Sequence, residues 1–133
     1  MTVTRRTLVG IALVAPLSFA GTAFAADPIK IGYQLPLTGN TAQYGQDFKT
    51  AAEIALKDFN ASGKMKVPVE IIFEDSRSDA KEGVNIARKF VDDDRIVAAL
   101  GDFTSTVSMA AAQVYKRAEM AQLSQTASHP DFA

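Results

Sequence analysis

The chain has 133 residues, 47% of them hydrophobic and 22% charged, with a formal net charge of −1 and no cysteine. A disulfide scaffold and a lipidated cysteine are therefore excluded, and one histidine, His129, is too few for a His-rich metal site or a His-based triad within the chain. The sequence has no basic stripe with interleaved aromatics, which argues against nucleic acid as a partner, and no solenoid-type repeat or low-complexity tract.

Arg5 and Arg6 form a positive n-region. An apolar run from Leu8 to Phe19 follows, broken only by Gly10, Pro16 and Ser18, and Ala23-Phe24-Ala25 offers a small-x-small cleavage site. This three-part pattern predicts a cleavable secretory signal peptide over residues 1–25, with an apolar run too short to span a membrane comfortably. Thr4-Arg5-Arg6-Thr7-Leu8 also fits a twin-arginine signal, and both export routes stay open. Cleavage leaves 108 residues with 12 basic and 15 acidic side chains, net −3. A secreted chain without cysteine or lipid suits a periplasm enclosed by an outer membrane.

The mature sequence alternates between strand-like and helix-like periodicity. Ile29 to Leu35 is a β-prone run ended by Pro36, and a Gly-, Thr- and Asn-rich loop carries the chain to Gly45. Phe48, Ala51, Ala52, Ala55, Leu56 and Phe59 then mark one face of an amphipathic helix, with Gly63 placed to end it. Val67 to Phe73 reads as the second strand, with Pro68 at its beginning, where a missing N–H matters least. Asp79-Ala80-Lys81-Glu82 is a capping box for a second helix whose apolar face includes Ala80, Val84, Ala87 and Val91. Asp92 to Asp94 marks a solvated turn after it.

Ile96 to Leu100 is a continuous apolar run, expected of a strand covered on both faces. Val107, Ala110, Ala111, Val114, Tyr115 and Ala118 predict a third helix, and Met120 to Leu123 a weaker fourth strand. This order implies right-handed crossovers and an α/β fold, a parallel doubly wound sheet with helices on both faces.

Three loops then leave the carboxyl ends of parallel strands and gather on one edge: Pro36 to Gly45, Gly101 to Ser105, and a third from Ser124 that contains Thr126, Ala127, Ser128 and His129. They offer hydroxyls, backbone amides and an aromatic ring with few charges, a surface that holds a small polar ligand without changing it chemically. Thr104 or Ser105 is a natural N-cap for the third helix, so free amides and the positive helix end lie beside a hydroxyl. His129 reads as an exposed loop residue and Glu74-Asp75 as solvated loop carboxylates. Neither a dinucleotide nor a P-loop fingerprint nor a nucleophile elbow is present, so no catalysis, cofactor or metal is expected.

The run Ile29-Lys-Ile-Gly-Tyr-Gln-Leu-Pro-Leu-Thr-Gly-Asn-Thr-Ala-Gln-Tyr-Gly45 resembles the start of the mature domain in periplasmic substrate-binding proteins of the leucine/isoleucine/valine-binding family, which serve ABC importers. The resemblance extends over residues 28–133. It implies lobe one of a type I periplasmic binding protein, incomplete, with residues 26–133 forming the N-terminal part of that lobe and the second lobe absent.

By the same resemblance, Ser105 matches the serine that holds the α-carboxylate of a bound amino acid. Thr126 and Ser128, with Ala127 between them, match the positions that receive the ammonium and carboxylate groups. Tyr44 matches the aromatic residue of the first loop, and Phe103 a position whose backbone lines the carboxylate pocket. Gln125 stands where family members often carry proline. The implied function is capture of a branched-chain or related amino acid between two lobes, with the membrane subunits of an ABC importer as partners. The alternative is a sensor of amino acids or amides built on the same lobes, without transport; an enzyme ranks below both.

Overall fold

The computed structural model describes residues 27–132, so the predicted presequence lies outside the described residues. Four strands, β1 (Ile29–Leu35), β2 (Val69–Asp75), β3 (Ile96–Leu100) and β4 (Ala121–Leu123), form one parallel sheet in the order β2-β1-β3-β4. Helices α1 (Ala42–Ala61), α2 (Ala80–Val91) and α3 (Ser105–Arg117) connect them, and a 3-10 turn follows at Pro130–Phe132. No helix among the described residues is long and apolar enough to cross a membrane.

The chain steps one way from β1 to β2, then returns past β1 to reach β3. With right-handed crossovers, that reversal puts α1 on one face of the sheet and α2 and α3 on the other. Side-chain alternation agrees. Ile29 and Ile31 line a groove with Ala52, Leu56 and Phe59 of α1, whereas a Cβ on Gly32 would run into the Phe90 ring of α2.

The closed face carries the core. Ile86, Ala87, Phe90, Ile96, Ala99, Ala111 and Tyr115 form one buried cluster, with Ile72, Val91, Val114 and Met120 packed against it. Fully burying a side chain such as Phe90 contributes about 1.5–3 kcal/mol. The inward face of α2 is Gly83, Ile86, Ala87 and Phe90. Ala87 and the partly buried Val91 are shared with the face expected from the sequence, and the larger Ile86 and Phe90 turn the helix toward themselves and away from Ala80 and Val84.

Two further expectations shift. The second strand begins at Val69 rather than Val67, with Pro68 just ahead of it, its carbonyl accepting the Ile29 amide at 2.9 Å. A register shift against β1 between Lys30 and Ile31 sets Val97 apart from the alternation, and its side chain is 58% exposed. On the α1 face, a groove of about 530 Å³ lies open between the helix and the sheet. Over the described residues, then, β3 is not covered on both sides.

The capping box at α2 forms by half. Asp79 accepts the Glu82 amide at 2.8 Å, while the Glu82 carboxylate turns to Arg77 at 3.0 Å. Asp93 binds Arg95 through both carboxylate oxygens and accepts the Ile96 amide at 2.9 Å on its carbonyl, closing the turn after α2. The Arg95 side-chain hydrogen bond holds the Asp93 pKa down at about 2.

Candidate ligand-binding site

β1 and β3 are neighbours whose following helices leave on opposite faces. This is the switch point of a doubly wound sheet, where a crevice opens beyond the carboxyl ends of the strands. The loops after β1, β3 and β4 meet there.

In the loop after β3, Gly101 has φ +97, and a Cβ at that position would overlap the carbonyl oxygen of Gln34 on β1. Only glycine fits that backbone. The next residue, Asp102, is fully buried. Its carboxylate accepts from the Ser76 hydroxyl, from the Thr104 amide at 2.8 Å and from the Thr104 hydroxyl at 3.2 Å. Burial pushes the Asp102 pKa up, and the hydrogen bonds from Ser76 and Thr104 only partly offset that. Burial, assisted by the Asp102 charge, also raises the Tyr33 phenol to about 12.

Thr104, rather than Ser105, is the N-cap of α3 and accepts the Val107 amide at 3.4 Å. Ser105 is thereby the first helical residue. Its Oγ accepts the Ser128 amide at 3.2 Å and the His129 amide at 3.3 Å. Two donors onto one hydroxyl oxygen occupy its lone pairs and leave its proton free to donate outward. Among the described residues, the amides of Ser105 and Thr106 donate to no protein group, as the first turn of a helix allows.

The loop after β4 is fastened to the loop after β3. Ser124 donates to the Asp102 carbonyl at 3.2 Å and accepts the Ala127 amide at 2.9 Å, and the Thr126 hydroxyl donates to the Phe103 carbonyl at 2.9 Å. Thr126 therefore spends its proton on the backbone. Ser128 is exposed; His129 is an exposed loop residue, as expected, with Nδ1 accepting the Asp131 amide at 3.2 Å. From the other side of the crevice, the Tyr44 ring stacks on Phe103, and Phe48 packs at 6.1 Å from the same ring.

The six residues expected at the site form one connected set at one edge. Tyr44 meets Phe103, Phe103 meets Thr126, and Ser105 meets the backbone of Ser128, with Ala127 held between by Ser124. Sequence reasoning missed the residues beneath them. Glu74 pairs with Lys89, and Asp75 accepts hydrogen bonds from the loop after β1, so neither is a solvated loop carboxylate. No group of His, Cys, Asp or Glu among the described residues is arranged to hold a metal.

A family model for periplasmic binding proteins matches residues 28–133. The chain belongs to the periplasmic binding protein family. Within that family it is 35% identical over 130 residues to Leu/Ile/Val-binding protein homolog 1 of Brucella abortus, covering 96% of this chain and 34% of that protein. A Rhodospirillum rubrum structure assigned to branched-chain amino acid ABC transport superposes with a TM-score of 0.78 at 53% identity, covering 79% of this chain and 31% of its own. The Streptococcus pneumoniae branched-chain amino acid transporter substrate-binding protein LivJ, in complex with isoleucine, gives 0.75 at 25% identity, covering 80% and 31%.

The fold is thus the type I periplasmic binding protein fold, incomplete, and the relatives are binding proteins of transport systems rather than enzymes. The chain spans about a third of the length of the relatives it matches.

Proposed function

We propose that this chain is lobe-one sequence of a periplasmic receptor for an ABC importer, capturing a branched-chain or related amino acid. The observation that carries the reading is Ser105. Its hydroxyl has both acceptor positions filled by loop amides, and it sits at the positive end of α3 beside two amides that have no partner among the described residues. A donor so fixed suits the α-carboxylate of a ligand. Each charge-assisted hydrogen bond there contributes roughly 1.5–3 kcal/mol.

Tyr44 and Phe103 give the crevice an apolar wall, and carbonyls of the loop from Thr126 to Ser128 are candidates for the ligand ammonium. A second lobe closing over this edge would desolvate the ligand and create the shape read by the importer's membrane subunits. The signal-peptide pattern of residues 1–25 supports a periplasmic location. No cofactor enters this scheme.

The test is calorimetric titration of the full-length mature protein with L-leucine, L-isoleucine and L-valine, wild type beside Ser105→Ala. The reading requires binding by wild type and a loss of ten-fold or more in the variant. Wild-type affinity unaltered by Ser105→Ala would remove the serine from the site.

A further inference from the structure

The turn between β2 and α2 supplies none of the residues expected to touch ligand, yet the loop after β1 hangs from it. Asp75, the last residue of β2, accepts the amides of Leu37 at 2.8 Å, Thr38 at 3.2 Å and Arg77 at 3.0 Å on one carboxylate oxygen. Its other oxygen accepts the Thr38 hydroxyl. Thr41, at the head of α1, makes no side-chain cap for its own helix and bonds Ser78 instead.

Ser76 continues the connection. It is fully buried, its amide donates to the Leu35 carbonyl at 2.8 Å, and its hydroxyl donates to Asp102. Two adjacent side chains thus fasten two different loops, Asp75 the loop after β1 and Ser76 the loop after β3. The following residues, Arg77 and Ser78, hold φ +52 and +57, a left-handed backbone that non-glycine residues adopt only when held. The bond from the Arg77 amide to Asp75 is part of what holds it.

We propose that Asp75 and Ser76 are positioning residues that set the spacing between the two walls of the ligand crevice. This rests on the ligand-binding reading above. With four donors on its two oxygens, Asp75 is occupied by the loop rather than available to a ligand. Beyond Asp75, the loop is anchored by the Leu37 carbonyl, which accepts from Gln46 at 3.1 Å, and by the Gly39 carbonyl, which accepts the Ala42 amide at 3.2 Å. Gly39 sits at φ +87 with open space where a side chain would stand, and Thr38 to Asn40 are exposed. Without Asp75 the Leu37 and Thr38 amides return to water, and the approach to Tyr44 loses its fixed course. Binding groups must be held to within about 0.5 Å to keep their affinity, and here the support comes from a turn outside the site.

The test uses the full-length mature protein as wild type, Asp75→Ala, Asp75→Asn and Ser76→Ala. L-leucine affinity is measured by calorimetry, and ligand-free amide exchange is followed residue by residue. Asp75→Ala is expected to weaken L-leucine binding ten-fold or more and to speed exchange at Leu37 and Thr38 ten-fold or more, leaving α3 protected. Asp75→Asn keeps an oxygen acceptor for the amides and is expected to restore most of both. Ser76→Ala is expected to weaken binding while leaving Leu37 and Thr38 protected.

Leucine affinity within two-fold of wild type in Asp75→Ala overturns the proposal. So does faster exchange spread evenly over the whole sheet, which would mean a role in stability alone. If wild type takes up none of L-leucine, L-isoleucine or L-valine, the ligand reading has failed separately. The nuclear Overhauser contact between the Tyr44 and Phe103 rings then decides: its loss in Asp75→Ala supports positioning, and its retention refutes it.

Discussion

The phenol ring of Tyr44 lies flat against the ring of Phe103, with centroids 4.7 Å apart and planes 9° from parallel. One ring belongs to the first turn of α1 and the other to the loop after β3, so the stack bridges the crevice between helices on opposite faces of the sheet. Tyr44 is 55% exposed. Removing its ring therefore costs the pair energy more than buried area, about 0.5–1.5 kcal/mol. Tyr44→Ala is expected to lower the unfolding free energy from urea titration by that modest amount while weakening L-leucine binding more strongly. Tyr44→Phe should leave stability unchanged, because the phenol oxygen has no protein partner among the described residues.

Gly101 gives a sharper contrast. Its φ of +97 disfavours any side chain, and a Cβ would overlap the Gln34 carbonyl oxygen besides. Gly39 has a similar φ of +87 but open space around it. Gly39→Ala is expected to cost about 1–2 kcal/mol, the backbone penalty alone. Gly101→Ala should cost well over 2 kcal/mol, since β1 or the loop must also move. Equal urea midpoints for the two variants would show that the loop after β3 yields more easily than its packing indicates.

The alternation of elements was legible because it depends on local periodicity. β1 and β3 fall on the expected residues, and α3 starts where its Thr-Ser cap predicts. The inward face of α2 was only partly legible from spacing: Ala87 and Val91 face the core as expected, but Ala80 and Val84 fit a helical period as well as Ile86 and Phe90 do, and only the partner surface chooses. At the site, the loops and their six candidate residues followed from strand order and resemblance. Asp75, Ser76 and Asp102 did not. Their work depends on which loops lie side by side, and Asp75 contacts Leu37 and Thr38 from 38 and 37 residues away. An acidic residue ending the strand beside a Gly-rich loop is the one sequence signal that could have flagged it.

The apolar surface on the α1 face leads to a prediction about residues 26–133 produced alone. Ile29, Ile31, Leu56, Phe59, Met65 and Leu100 line the open groove, and Leu123 on the edge strand β4 is 68% exposed. An open apolar groove beside an unpaired strand edge favours self-association. This polypeptide is expected to bind an apolar dye and to sediment as more than a monomer at micromolar concentration. Leu123→Lys should shift it toward monomer by charging the edge. A monodisperse monomer without dye binding would refute the expectation.

Asp75 and Asp102 are expected to bend the stability curve in opposite directions. For Asp75, burial pushes the pKa up, but the hydrogen bonds from Thr38, Arg77 and Leu37 outweigh it and hold the value below that of an ordinary aspartate. Its contribution is present above the unfolded value, about pH 4, and is lost as pH falls through the lower folded value. Asp102 is the reverse. Its pKa is raised by burial, so its contribution is full below the unfolded value and is lost as pH rises through the folded one. Urea midpoints measured from pH 3 to pH 7 separate the two. Asp75→Asn should flatten the acid limb, and Asp102→Asn the limb just above pH 4, where folding works against ionisation of a buried carboxyl. A wild-type curve that both substitutions leave unchanged in shape would mean that neither group titrates differently in the folded and unfolded chains.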